Sequence, residues 1–268
     1  MVYALGELGY DFGTEARLDY FIQQLGGKDA NPLDPLKMAE HLKEHQADAN
    51  ALIWTLNIDT TPIYAIKPQD QFAVLSYLRL VEFLVENEQE DVERMSVGGV
   101  LNGVTRLYNG TVVPTIEPVL RGMYNWRTDA LVKALLSPGG TAGSKGKEQT
   151  DEFKEQSNGI RTFLERVYFE LRNIGVSPSD RAINYAASNA FQLKEVYQDA
   201  IAEKMVLDKI NVERSPICRP ESDCWDVKMM FFDPTKIHER ARKVYRYTVD
   251  VSDVIPVTVG SLRTWHVY

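Results

Sequence analysis

The order of strand-like and helix-like blocks is the feature that most constrains this 268-residue chain. Residues 2–10 mix aliphatic and aromatic residues with glycine and read as a strand ending at Asp11-Phe12-Gly13. A helix follows from Thr14, with Leu18, Phe21, Ile22 and Leu25 on one face and Gly26-Gly27 as its stop. Asp34-Pro35, an N-cap with proline at the first helical position, opens a second helix to about His45. Residues 51–56 and 62–66 suit a hairpin around a polar turn, and residues 71–85 form a helix apolar enough to be buried on much of its circumference. Residues 93–108 and 111–117 flank Asn109-Gly110, the pair that tolerates the positive φ angles of a two-residue hairpin turn. Helices are expected at 128–136, 151–173 and 179–205, then strands at 209–213, 224–232, 243–251 and 255–259.

Regular strand-helix-strand units are missing from this order, which argues against a doubly wound parallel sheet. The expected class is α+β: antiparallel sheets with packed helices, a long helical pair after a flexible linker, and a β-rich C-terminal part. The organisation that follows is an N-terminal α+β lobe over 1–138, a Gly/Ser/Lys-rich linker over 139–150, and a helical pair with a β lobe over 151–268.

Composition decides which partners to expect. Hydrophobic residues at 44% and charged residues at 25% describe an ordinary globular protein with a real core. A formal charge of -8 leaves no cationic excess to neutralise phosphates, so neither nucleic acid nor an anionic membrane is expected as a partner. No apolar run approaches the ~20 residues that span a bilayer, and the first residues lack the basic region of a secretory signal. The expected location is the cytoplasm, where two cysteines would stay reduced.

Short motifs carry little. The stretch 139–147, GGTAGSKGK, lacks the G-x-x-x-x-G-K-[ST] spacing of a phosphate loop and reads as linker. Asp11-Phe12-Gly13 matches the kinase tripeptide without the other kinase elements, so a strand-to-helix turn is the better account. There is no G-x-S-x-G elbow, and the four histidines, His41, His45, His238 and His266, form no triad pattern with a serine and an aspartate. His41 and His45 share a helix face at a spacing that can grip a metal, although the charged run EHLKEHQ favours a solvated face.

The richest cluster is SPICRPESDCW, residues 215–225. Five residues, including Pro220, separate Cys218 from Cys224, so the two can meet across a tight loop, and His238 follows fourteen residues later. Three outcomes compete. A structural zinc would use Cys218, Cys224 and His238; a disulfide is geometrically open but disfavoured by a reducing compartment; two free thiols are the third.

Four runs together resemble one family: YALGELGYDFGTEARLDYF near the start, VLRGMYNWRTDALVKAL at the linker's edge, SPICRPESDCWDVKMMFFDP, and YRYTVDVSDVIPVTVGSLRTW near the end. They resemble the C-terminal domain of unknown function of PatA- and PatG-type cyanobactin maturation proteases. The resemblance implies a place in pathways that cut and cyclise ribosomal precursor peptides. In the parent proteins a subtilisin-like protease or macrocyclase precedes the domain, joined in the PatG type by a thiazoline oxidase. No protease motif is matched here, so the resemblance implies no catalytic residue and no enzyme activity for this chain. It implies instead an accessory role: self-association as a homo-oligomer such as a dimer, docking to the protease/macrocyclase or other pathway enzymes, or holding precursor peptide. Tyr124, Trp126 and Trp225 are candidate aromatic anchors for such contacts, with a place in the core as the equal alternative and the commoner fate of tryptophan. The competing expectation is a peptide-modifying enzyme using Cys218 or Cys224.

Overall fold

The computed structural model describes residues 1–26, 31–90, 94–126, 173–188, 196, 199–200, 203, 205–235 and 241–267. They fall into two units, Met1–Arg127 and Thr128–Tyr268. The first unit runs β1 (Val2–Asp11), α1 (Glu15–Gln24), α2 (Pro35–Glu44), a 3-10 turn (Gln46–Ala51), β2 (Ile53–Ile58), β3 (Thr61–Ile66), α3 (Ala73–Glu90), β4 (Arg94–Arg106) and β5 (Val112–Trp126). The second contains α4 (Pro178–Ser188), β6 (Val206–Arg214), β7 (Cys224–Phe232), β8 (Arg242–Asp250) and β9 (Val257–Val267). The chain is α+β, as its block order implies. Among the described residues no helix is long and apolar enough to cross a membrane.

In the first unit the strands close into a barrel in the order β1-β2-β3-β5-β4. All neighbours are antiparallel except β3 and β5, which pair in parallel over two residues. With α3 between the third and fourth strands, this is the topology of an OB-fold barrel. Closure depends on β1, whose first half pairs with β4 (Val2↔Gly99 to Gly6↔Met95) and whose second half pairs with β2 (Glu7↔Asn57 to Asp11↔Ile53). Gly6 sits where the partner changes. A Cβ there would lie 2.5 Å from the Asn57 carbonyl oxygen and 2.9 Å from Leu56 Cγ, so no side chain fits the bend. Gly6→Val is therefore expected to cost roughly 3 kcal/mol or more by overpacking, read as loss of a cooperative melt in circular dichroism.

The main core joins this barrel to its helices. Trp54, Leu56, Phe21, Met38, Leu42, Leu80 and Phe83 are wholly buried in one cluster. Thr14 caps α1 by accepting from Arg17 N at 3.3 Å, and Asp34 caps α2 by accepting from Leu36 N at 3.1 Å, the two start signals visible in the sequence. The buried stripe of α3 begins only after its first turn, because Phe72, Val74 and Leu75 are exposed while Leu80, Val81, Phe83 and Leu84 are buried. Burial on much of the circumference therefore holds from Ser76 to Asn87, where only Glu82 is exposed, and fails for Phe72 and Leu75. The last turns of α3 are tied to β5 by Asn125 Nδ2, which donates to Glu86 Oε2 at 2.8 Å.

In the second unit β6, β7, β8 and β9 form an antiparallel sheet in that order. Ser177 Oγ accepts from Asp180 N at 3.1 Å, with Pro178 at the first helical position, so the start of α4 follows its sequence signal. The small residues Ala182 and Ala186 let α4 lie close against Val227, Val249 and Val251. The expected helix 128–136, the linker 139–150 and nearly all of the helix 151–173 lie outside the described residues.

Candidate functional site

Polar side chains converge at three places, two in the second unit and one in the first. The first is the hairpin loop between β6 and β7, where the cysteines lie. Ser215 N donates to the Cys224 carbonyl at 2.8 Å and continues the ladder one step past Arg214↔Trp225. Ser222 N then donates to Arg219 O at 3.2 Å, closing the turn Arg219-Pro220-Glu221-Ser222. Proline presets φ at the second position, and Glu221 takes φ 67°, the positive value that the third position of a type II turn requires. The turn sends the chain back on itself. Cys218 Sγ donates to Ser222 O at 3.0 Å, and its side chain also contacts the Cys224 thiol.

The two thiols are free and differ in environment, for Cys218 is exposed and Cys224 buried. Burial, reinforced by contact with Cys218, pushes the Cys224 thiol up to about 11. Around them, Val251 N donates to Asp223 O at 2.9 Å and Trp225 Nε1 to Asp223 Oδ1 at 2.9 Å. Asp250, opposite Cys224 in the ladder, is pushed up by burial, but bonds from Ser252 and Ser222 outweigh this and hold it below its ordinary range. His238, the third expected zinc ligand, lies outside the described residues. Among the described residues no group of three or more His, Cys, Asp or Glu could hold a metal ion. The structure thus brings the two expected sulfurs together and does not reach the third ligand.

The second cluster was not visible in the sequence, because its helix pair and its strand pair lie forty and more positions apart. Lys243, 7% exposed, donates to Asp199 Oδ2 at 2.7 Å and Glu203 Oε1 at 2.6 Å. Tyr245, two residues on along β8, donates to the same Asp199 oxygen at 2.8 Å. Glu203 N bonds to Asp199 O at 3.2 Å, so the carboxylates sit one helical turn apart and face one cation. Burial alone would lower the Lys243 ammonium, yet its bonds to the two carboxylates outweigh this and raise it. Asp199 is correspondingly held low, chiefly by Lys243. A lysine held so firmly charged clamps helix to sheet and is a poor nucleophile. Beyond the other end of β8, buried Arg181 of α4 donates to the Val251 carbonyl and, at 3.4 Å, to the Asp253 carbonyl, pinning the β8–β9 connection.

The third cluster lies in the first unit. His41 Nε2 meets Asp48 Oδ2 at 2.8 Å, and Tyr20 donates to Asp48 Oδ1 at 3.0 Å. The His41 side chain is only 6% exposed and packs edge-on to Phe21, while the rings of His41 and His45 lie 4.6 Å apart. The expected solvated face is thus corrected for His41, which turns inward to bond Asp48; only His45 faces solvent. Asp11 of the kinase-like tripeptide accepts from Gly13 N at 2.6 Å and from Tyr108 N at 2.8 Å. It is a turn residue that also fixes the β4–β5 loop. That loop has three residues, Tyr108-Asn109-Gly110, closed by Leu107 N to Thr111 O at 2.8 Å, with positive φ at Gly110 alone. This replaces the expected two-residue turn. Leu107 packs with Ala65, Val113 and Ile53, so the loop lies against β2 and β3, the side where OB barrels take ligands.

Of the aromatic anchors, Tyr124 is exposed and Trp225 is partly buried against the α4 cluster; the side chain of Trp126 lies outside the described residues.

Comparison with known proteins sets this arrangement in a family. The family model described as PatG Domain matches residues 1–120, and the one described as PatG C-terminal matches residues 148–265. A solved structure described as "PatG Domain of Unknown Function" is 40% identical, with a TM-score of 0.86 over 99% of this chain and 98% of that one. The chain belongs to the PatG domain family. Among curated proteins no relative matches. The boundary between the two PatG family models falls between residues 120 and 148, a span that includes the division of the structure at Arg127.

Proposed function

We propose that this chain is a noncatalytic accessory domain of a cyanobactin biosynthetic protease, working by self-association, docking or holding of peptide substrate. The observation that carries this reading is the end-to-end likeness to a PatG domain at 40% identity. The engagement of the charged side chains supports it. Lys243, Arg181 and His41 are each engaged with carboxylates or carbonyls that hold secondary structure together. The surface also offers apolar side chains for contact: Val104, Val112 and Tyr108 are 70%, 57% and 45% exposed on the β4–β5 hairpin. Its partners in this reading are the protease/macrocyclase, other pathway enzymes, precursor peptide or a second copy of the chain. Two free thiols suit a reducing cytoplasm, and the charge of -8 suits neither nucleic acid nor anionic membrane.

Exposed Cys218 favours one alternative, a peptide-modifying enzyme using Cys218 or Cys224. Incubation of the chain with precursor peptide, read by mass spectrometry and by co-elution with peptide or protease, separates the two. The expected result is co-elution with unchanged peptide mass. A change in peptide mass that Cys224→Ser abolishes would overturn the accessory reading.

A further inference from the structure

We propose that Cys218 and Cys224 form a modification site, in which Cys218 captures a low-molecular-weight disulfide such as glutathione disulfide and Cys224 resolves the adduct into an internal disulfide. The inference is independent of the accessory reading. It rests on the division of labour in the β6–β7 loop. Cys218 lies on the exposed side of a tight turn, open to a reagent from solvent. Cys224 opens β7, is paired with Asp250 in the ladder and is buried, so exposed Cys218 is the thiol a reagent from solvent reaches. The two side chains already touch. Joining them requires closing a non-bonded contact to the about 2.0 Å of an S–S bond, and the movement falls on the loop residue. Ring closure would span residues 218–224 and replace the single bond from Cys218 Sγ to Ser222 O.

The chemistry balances as thiol–disulfide exchange. The Cys218 thiolate attacks one sulfur of the reagent, whose S–S bond breaks and releases one thiolate. Cys224 then gives up its proton and attacks Cys218 Sγ, expelling the second thiolate. Two protein thiols lose two electrons, the reagent gains them, and the two protein protons end on the two released thiols. Because Cys224 is buried and Cys218 exposed, capture falls to Cys218 and resolution to Cys224.

The test treats the full chain, purified without chelator, with glutathione disulfide and follows it by intact mass and peptide mapping. Wild type should pass through a mixed disulfide and end two hydrogens lighter, with residues 218 and 224 joined. Cys224→Ser should stop at the mixed disulfide on Cys218, and Cys218→Ser should stay unmodified. A wild-type adduct that persists like that of Cys224→Ser would overturn the proposal. So would an equivalent of zinc in the purified protein that shields both thiols until it is removed. Should either serine variant fail to fold, the passage of wild type through the mixed disulfide to a 218–224 disulfide decides alone.

Discussion

Replacing Trp54 with alanine is expected to destabilise the barrel unit by about 3–5 kcal/mol and lower its melting temperature by on the order of 10 °C. Trp54 is wholly buried at the centre of the main core, and its indole Nε1 donates to the Ala49 carbonyl at 2.8 Å. Truncation therefore opens a cavity in the main core and also leaves that carbonyl without its partner. Trp54→Phe separates the two effects. It keeps most of the volume and loses the bond, so it should cost only about 1–3 kcal/mol. Urea unfolding followed by circular dichroism checks both. Equal losses for the two variants would show that the bond, and not the packing, dominates.

Replacing Lys243 with methionine is expected to cost roughly 2–4 kcal/mol, because it leaves Asp199 and Glu203 facing each other with no cation between them. Both carboxylates keep some contact with water, which moderates the penalty below that of a sealed site. The pH dependence has a definite sign. Asp199 has a depressed folded value, so its contribution is present above the ordinary aspartate range and is lost as pH falls through the lower folded value, below about 4. Lys243 is raised, so its contribution is complete below about 10 and is lost as pH rises beyond that toward the folded value. Wild type should therefore hold a plateau between these limits. In Lys243→Met the loss should be greatest at neutral pH and should shrink on acidification, as the two carboxylates become neutral. Chemical denaturation at pH 7 and pH 4 measures this; an unchanged difference between them would contradict the clamp.

How legible these features were depends on sequence distance. The first helices could be read because Thr14, Asp34 and Pro35 act on backbone groups within three residues of themselves. β7 was read to its exact ends, since Cys224–Phe232 is bounded by turn chemistry on one side and Asp233-Pro234 on the other. Expectations that required a third dimension were weaker. Residues 71–85 are apolar on several faces, and nothing local reveals that Phe72 and Leu75 lie outside the buried stripe. Barrel closure was not foreseen, because Gly6 acquires its meaning only when Asn57 is beside it. The candidate site divides in the same way. The meeting of Cys218 and Cys224 follows from five intervening residues that include a proline turn. Lys243, Asp199 and Tyr245 gave no signal, since a lysine in a strand and an aspartate in a helix are common and only the packed sheet joins them. Family resemblance entered through long runs such as 215–234, whose combination is more specific than any single chemical motif.

The split allegiance of β1 also bears on synthesis. Its first half must wait for Met95 to Gly99 to emerge before it has a neighbour, and the barrel closes only after β5 has followed through Trp126. At about 5–20 residues per second, translation leaves this early strand exposed for on the order of ten seconds. Of the barrel strands the first made is among the last to be sheltered, so nascent chains of this domain are natural clients for ribosome-associated chaperones, and pauses placed between the codons of β1 and Trp126 should raise aggregation more than pauses placed after Trp126.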